Sequence, residues 1–388
     1  MKQTKYILPI IVFAQFCCTS LWFATNGVIE DLVNNFTLNQ SALGHLSSAV
    51  QFGFIIGTFL FALLTITDRF SPSKVFFVSA VLAAIFNLMI VLEDHNLSSL
   101  LILRFGTGFF LAGIYPVGMK IAADYFDKGL GKSLGYLVGA LVLGTAFPHV
   151  LKGFGSSFSW QHIIYTTTVL AMLGGIVMLV FVPDGPFRKP VTKFDISVLF
   201  NVFKVHDFRK AAFGYFGHMW ELYTFWAFVP IILKAYVELH PEVEFNIPML
   251  SFVIIASGSL ACVVSGYLSQ VYGAKKIGAM ALLFSGLCCL VSPLFFSLNS
   301  EVVFIIFLVF WGMVVVADSP LFSTLVAQNV NAEHKGTALT IVNSIGFAIT
   351  IVSIQLASNL IDVMEVKYLF LIIATGPILG LLGLLKKN

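Results

Sequence analysis

The chain alternates between long apolar runs and short polar segments. Each run holds about 20 mostly apolar residues, the length that an α-helix needs to cross the hydrocarbon core of a bilayer. A membrane β-barrel is excluded, because its strands are about ten residues long and alternate in polarity. We predict twelve spanning helices, at residues 7–29, 43–66, 75–93, 99–121, 133–151, 161–182, 211–236, 248–269, 277–298, 302–327, 337–361 and 367–385.

Composition agrees with this class of protein. Of 388 residues, 58% are hydrophobic and only 11% are charged, and the mean hydropathy is +0.94. A soluble protein of this length needs more charge to cover its surface, so we predict an all-α polytopic membrane protein. The net charge of +3 is too small to indicate a nucleic-acid partner. The five cysteines lie inside apolar runs without metal-binding or disulfide spacing, which predicts buried small side chains.

The basic residues predict the orientation. With a cytoplasmic N-terminus, eighteen of the 22 Lys and Arg residues fall on the cytoplasmic side. Only Lys152, Lys234 and Lys367 fall outside, and Arg104 lies within a span. This positive-inside bias predicts that both termini are cytoplasmic. The minimal loops are typical of a bacterial protein, so we expect the cell (inner) membrane.

The two halves of the chain repeat each other. The matched positions are Lys74 with Lys276, Pro116 with Pro320 and Gly131 with Gly336, at offsets of 202, 204 and 205. We therefore predict two pseudo-symmetric six-helix bundles, residues 1–182 and 211–388, joined by a cytoplasmic linker at 183–210. Parallel repeats of this kind place a substrate site at mid-membrane between the halves.

The loops after the second and eighth spans carry a recognisable motif. Residues 266–276 read GYLSQVYGAKK, and a looser copy, TDRFSPSK, lies at residues 67–74. The first resembles the major facilitator superfamily signature of Gly, three residues, Asp, two residues, Gly and then basic residues. The resemblance implies that these loops form a cytoplasmic gate, in which charged side chains pair with helix ends. Alternatively, the charges of these loops only set the orientation of the chain in the membrane. The residues of the gate would be Asp68, Arg69, Lys74, Gly266, Gln270, Gly273, Lys275 and Lys276.

Other spans extend the resemblance to the whole chain. The fourth span, LILRFGTGFFLAG, is similar to the superfamily's fourth-span signature, with Arg104 and Gly108 correctly spaced. The fifth span is similar to the antiporter signature but lacks its Gly-Pro pair in register. A weaker similarity to bacterial permeases of the nitrate/nitrite and cyanate type leaves the subfamily unresolved. Spans two and eight contain no Arg, whereas nitrate carriers use one in each.

Four ionisable side chains lie within predicted spans: Glu221, His218, Arg104 and Asp318. A charged group at the centre of a span costs about 2.5–3.5 kcal/mol even on lenient scales, so we expect them to face a cavity or one another. Glu221 lies near the midplane, and a carboxylic acid in apolar surroundings can exchange a proton near neutrality. His218 precedes it by one helical turn and can relay that proton.

Each of these residues also has a structural interpretation. Glu221 could be an acid held by hydrogen bonds from its neighbours Trp220 or Tyr223, and His218 could be a packed core residue. Arg104 could extend outward to the membrane surface, and Asp318 could cap a helix or pair near the cytoplasmic end. Cavity-lining candidates are Trp22, Asn26, Gln51, Tyr115, Trp220 and Asn343, although amides within spans also serve as hydrogen bonds between helices.

These features predict a secondary transporter rather than an enzyme. Because no catalytic pair, phosphate loop or metal-ligand cluster is present, we expect no cofactor beyond a transmembrane proton gradient. The leading hypothesis is proton symport of a small organic or inorganic anion, with Arg104 offering the positive charge. The alternatives are a proton-driven exporter of amphipathic or cationic compounds and a non-transporting receptor on a transporter scaffold. We expect a monomer whose partners are a small-molecule substrate and the lipid bilayer.

Overall fold

The structure is a computed structural model that describes residues 4–39, 41–126, 130–155, 159–188, 201–331 and 335–386. Every regular element in these ranges is a helix. The chain divides into two compact units, Met1–Val198 and Leu199–Asn388. Residues 189–200 of the predicted linker lie outside the described ranges.

The described part of the first unit contains nine α-helices. They are α1 (Thr4–Thr19), α2 (Ile29–Asn35), α3 (Ala42–Leu63), α4 (Ile66–Arg69), α5 (Pro72–Leu88), α6 (Leu97–Leu111), α7 (Tyr115–Tyr125), α8 (Leu130–Gly153) and α9 (Trp160–Phe181). The described part of the second unit adds α10 (His206–Leu239), α11 (Ile247–Tyr272), α12 (Ala274–Phe296), α13 (Glu301–Ala317), α14 (Ser319–Gln328), α15 (Lys335–Leu360), α16 (Val366–Ile373) and α17 (Thr375–Leu385).

The helices confirm the all-α polytopic class. Within the described ranges, eleven helical segments are long and apolar enough to cross a membrane, and Tyr6–Thr19 is a shorter apolar helix. These twelve segments correspond in order to the twelve predicted spans. The seventh is longer than predicted, because α10 begins at His206 and includes residues 206–210 of the predicted linker. Asp207 in its first turn suits the positive end of the helix dipole.

The first predicted span is wrong as one continuous helix. The helix α1 ends at Thr19, and residues 20–25 form turns before α2. At this point Thr19 Oγ1 donates to the Gln15 carbonyl at 2.8 Å and Ser20 Oγ donates to the Cys17 carbonyl at 2.7 Å. Such back-bonding hydroxyls compete with the helical pattern and bend helices. The break leaves carbonyl groups in the interior that need other donors.

The fourth and tenth spans are also broken, at equivalent positions of the repeat. In the fourth span α6 ends at Leu111 and α7 begins with Tyr115 and Pro116. In the tenth span Asp318 separates α13 from α14, whose second residue is Pro320. Proline lacks an N–H and clashes with the carbonyl four residues earlier, so each helix stops and restarts. A hydropathy count does not detect such a break, because the flanking segments are equally apolar.

The same repeat governs how helices pack within each unit. A Cβ at Gly108 would lie 2.0 Å from the Val50 carbonyl oxygen, and one at Gly312 would lie 2.1 Å from the Ile254 carbonyl oxygen. Both contacts occur at the same repeat offset of 204 residues. In each unit a glycine therefore lets the spanning helix press against a neighbouring backbone, as small residues do in membrane helix pairs.

Candidate functional site

Glu221 lies fully buried in the middle of α10, between α12 and α13. Its carboxyl group accepts hydrogen bonds from Ser285 Oγ at 2.8 Å, Cys289 Sγ at 3.2 Å and Trp311 Nε1 at 2.8 Å. Ser285 and Cys289 are four residues apart and share one face of α12. The donors predicted as the structural alternative, Trp220 and Tyr223, are not among these three. All three contacts are neutral donors, so they tolerate both protonation states of the acid.

His218 has a different partner from Glu221. Its Nδ1 lies 2.8 Å from Oδ1 of Asp318, although the alignment of the two groups is not that of a hydrogen bond. Both side chains are 1% exposed. The rings of Tyr215 and Phe322 lie 6.0 and 6.1 Å from the imidazole, centroid to centroid. One helical turn thus separates an acid that faces α12 and α13 from an imidazole that faces α14.

Neither ring nitrogen of His218 and neither carboxyl oxygen of Asp318 has a hydrogen-bond partner in the described part of the chain. Buried polar atoms are nearly always paired, and an unpaired one costs about 1–3 kcal/mol. Asp318 is held where α13 stops and α14 starts, so the backbone break presents it to His218. The arrangement can accept or release a proton, or bind a small polar ligand.

Arg104 lies in the first unit and is also fully buried. Its Nη1 donates to the Leu21 carbonyl at 3.1 Å, and Nη2 donates to the Trp22 carbonyl. These carbonyls belong to the turns that follow α1, so the guanidinium supplies donors that the broken first span lacks. The side chain therefore turns inward. The alternative, in which it extends outward to the membrane surface, does not hold in this structure. Its Nε has no hydrogen-bond partner among the described residues.

Three predicted cavity residues meet at the break of the first span. The Trp22 ring lies 4.9 Å from that of Phe54, centroid to centroid, and Asn26 Nδ2 donates to Ser47 Oγ at 2.9 Å. Ser47 and Phe54 flank Gln51 on the same face of α3. Gln51 is fully buried, and neither of its amide atoms has a partner among the described residues.

The remaining cavity candidates are dispersed. Tyr115 is buried at the start of α7, and Asn343 is buried on α15. Trp220 is only half-buried and packs over Gly376 at the start of α17, away from the contacts of Glu221. In the described ranges, no group of three or more His, Cys, Asp or Glu side chains could hold a metal ion.

Comparison with known proteins identifies the family. Residues 11–384 match the family model described as Major Facilitator Superfamily, which is nearly the whole chain.

The chain belongs to the Major Facilitator Superfamily.

Several curated relatives are named as transporters or efflux pumps. The Ascochitine biosynthesis cluster MFS transporter of Didymella fabae is 29% identical over 145 residues, which are 36% of this chain and 27% of that protein. Efflux pump FUB11 of Gibberella moniliformis is 26% identical over 194 residues, 47% of this chain and 32% of that protein. The protein named "Putative uncharacterized transporter YgaY" of Escherichia coli is 23% identical over 185 residues, 46% of this chain and 45% of that protein. The matches thus span less than half the length of these relatives.

The two copies of the loop motif, for which a gating role was predicted, lie at helix ends in both units. In the first, Arg69 Nε donates to Thr65 Oγ1 at 3.0 Å and Lys74 is exposed; the side chain of Asp68 lies outside the described residues. In the second, Gly266 is buried in α11, whereas Gln270, Gly273, Lys275 and Lys276 are exposed. Gly273 joins α11 to α12 with a φ of +86°, which a residue with a side chain rarely adopts.

A polar clamp beside the first motif copy was not predicted from the sequence. Asp184 accepts hydrogen bonds from Ser71 Oγ at 2.7 Å and from Arg188, whose Nη2 also donates to the Phe70 carbonyl at 2.9 Å. Tyr125 Oη donates to the Pro183 carbonyl at 2.6 Å. The segment after α9 is thereby fastened to the loop before α5. The feature of the sequence that could have predicted this contact is the four-residue spacing of Asp184 and Arg188, which suits an ion pair across one helical turn.

Proposed function

We propose that this member of the superfamily is a secondary active transporter that moves a small solute by alternating access and couples the movement to protons. The observation that carries the proposal is the environment of Glu221. Its carboxyl group is fully buried and contacts neutral donors from Ser285, Cys289 and Trp311. A carboxylate bound to a fixed cation keeps its charge, whereas an acid held by neutral donors can gain or lose a proton.

The pair of His218 and Asp318 is the second proton-carrying element in this proposal. His218 lies one turn of α10 before Glu221, and its Nδ1 approaches Oδ1 of Asp318 to 2.8 Å. Protonation of the imidazole turns a polar contact into an ion pair, so the state of the pair depends on the protons available. Coupling arises if solute binding and proton binding both bias the equilibrium between the conformations of the transporter.

Proton symport of a small organic or inorganic anion is our first candidate. Arg104 supports it, because a buried guanidinium is the residue type best suited to bind carboxylates and other oxyanions. Its Nε remains without a partner among the described residues, while the two terminal nitrogens bind the Leu21 and Trp22 carbonyls. An anion that enters would compete with these carbonyls or use Nε.

Proton-driven export of an amphipathic or cationic compound is the second candidate. Two buried carboxyl groups, Glu221 and Asp318, lie in one unit, and a cation could displace a proton from either. The engagement of Arg104 with backbone carbonyls also favours this candidate, and one relative is named an efflux pump.

Flux through proteoliposomes tests the proposal and separates the candidates. A thermal-shift screen of small organic anions and lipophilic cations on the purified protein first selects a solute. Anion uptake that is accelerated by an inward proton gradient supports symport. Extrusion of a cation that is driven by the inward flow of protons supports export. The test variant is Glu221→Gln, which should lose the dependence of flux on the proton gradient. The matched control is Glu238→Gln, which neutralises an exposed acid on the same helix as Glu221. A solute that stabilises the protein but is never moved would instead favour the receptor hypothesis.

The surroundings of the transporter follow from the same proposal. We expect both termini in the cytoplasm, the cell (inner) membrane as the location and a monomer as the working form. The energy source would be the proton gradient, with no bound cofactor. Cysteine-accessibility labelling of the ends of the chain in intact cells checks the orientation.

A further inference from the structure

A groove of about 660 Å³ runs along the second unit between α10 and α17, with Ile349 of α15 at one side. None of the buried groups discussed above, Glu221, His218 and Asp318, lines it. Aromatic side chains of α10 form one wall: Phe213, Phe216 and Trp220. The groove is therefore separate from the candidate transport site and independent of the proposed function.

Glycines of α17 shape the opposite wall. Gly376, Gly380 and Gly383 recur at helical spacing and line the groove. A Cβ at Gly376 would lie 2.4 Å from Trp220 Cδ1, and one at Gly383 would lie 2.6 Å from Phe213 Cβ. The side chains of Trp220 and Phe213 thus lie against the backbone of α17, so the two walls meet at the glycines and form a continuous apolar surface.

One end of the groove is basic and the rest is apolar. Arg209 and Lys210 of α10 and Lys386 after α17 line the basic end, together with His206. The acid beside them is Asp207, 3.8 Å from Lys210, and it is 69% exposed. Among the described residues, three basic side chains line this end and one carboxylate lies beside them, so basic groups predominate there. The positive-inside bias predicts that it faces the cytoplasm.

The apolar part of the groove is open laterally, along the outer surface of the second unit. Phe213 is 51% exposed, and Leu379 and Leu382 are each 65% exposed. In a span that crosses a bilayer, such side chains contact acyl chains rather than water. From Arg209 to Trp220 the groove rises eleven residues, about 16 Å along the helix. This is about half of a hydrocarbon core of roughly 30 Å, the depth of one leaflet.

We propose that this groove binds one anionic phospholipid. Its phosphodiester lies among Arg209, Lys210 and Lys386, and one acyl chain follows the glycine wall toward Trp220. Basic pockets between spanning helices on the cytoplasmic side recognise anionic head groups in this way. A soluble anion would use only the basic end and would gain nothing from the apolar groove. A zwitterionic lipid would lack the net charge that this end attracts.

Lipid retention by the purified full chain tests the proposal. The delipidated protein is incubated with dioleoylphosphatidylglycerol, with dioleoylphosphatidylcholine or with glycerol 3-phosphate, and bound molecules are counted by native mass spectrometry. We expect one phosphatidylglycerol to be retained selectively, with no retention of glycerol 3-phosphate. The double variant Lys210→Gln, Lys386→Gln removes two charges of the groove. Its affinity for phosphatidylglycerol is expected to fall about thirty-fold.

The matched control is Lys275→Gln, Lys276→Gln, which removes two exposed charges outside the groove. It is expected to retain phosphatidylglycerol as the parent protein does. The proposal is overturned if the control loses as much affinity as the groove variant, because general attraction to positive charge would then explain binding. Equal retention of both lipids, binding of glycerol 3-phosphate alone, or no retention would also overturn it.

Discussion

Replacing Glu221 by glutamine preserves the size of the side chain but removes its ability to exchange a proton. A glutamine carbonyl placed at Oε1 still accepts from Trp311 Nε1, and its amide can donate to Ser285 Oγ. Ser285 Oγ also donates to the Leu282 carbonyl at 3.2 Å, so the hydroxyl has a place for its own proton. We expect Glu221→Gln to change the free energy of unfolding by less than about 1 kcal/mol.

Leucine at the same position gives the contrasting case. It leaves the buried Trp311 N–H without an acceptor, which is expected to cost about 1–3 kcal/mol. Thermal unfolding of the purified protein in detergent should therefore rank the parent and Glu221→Gln close together, and Glu221→Leu clearly lower.

Flux measurement then separates stability from function. We expect Glu221→Gln to lose the dependence of transport on the proton gradient, although the protein remains folded. Glu238→Gln is expected to keep it. The reasoning fails if Glu221→Gln transports with unchanged dependence on external pH. It also fails if glutamine destabilises the protein as much as leucine, since the hydrogen bonds would then not be those described.

Three further predictions concern the supports of the site. Arg104→Gln leaves the Leu21 and Trp22 carbonyls without their charged donor, and we expect it to lower stability by about 3 kcal/mol in thermal unfolding; an unchanged melting temperature would contradict this role. Gly312→Ala is expected to destabilise the second unit, whereas Gly336→Ala, where a Cβ meets no atom within 4 Å, is not; equal effects would refute the close approach. His218→Gln and Asp318→Asn are expected to couple by about 0.5–3 kcal/mol in a double-mutant cycle, and strict additivity would argue against their pairing.

The number and order of the spans could be read from the sequence, because the bilayer demands about 20 apolar residues from every spanning helix. The repeat was also readable, since Pro116 and Pro320 recur at one offset. The effect of these prolines on the helices could not be read from the sequence. A break of one to three residues leaves the average hydropathy unchanged, so the interruptions at Asp318 and after Leu111 emerged only from the helix boundaries.

The candidate site shows the same division. Charge inside apolar runs was enough to single out Glu221, His218, Arg104 and Asp318, because an ionisable group in a span is rare and expensive. Sequence spacing suggested that His218 shares a proton with Glu221, whereas the packing of α14 against α10 brings Asp318 to His218. No local pattern connects residues 100 positions apart.

The amino-acid sequence by itself determined the membrane class, the span order and the identity of the buried ionisable groups, because each follows from hydropathy and from the energy of placing charge in lipid. Only the tertiary structure decided the partners. Arg104 binds the carbonyls that a broken first helix exposes, and Glu221 is held by Ser285, Cys289 and Trp311. Such contacts depend on which helix faces meet, and that is determined by packing between segments distant in the chain.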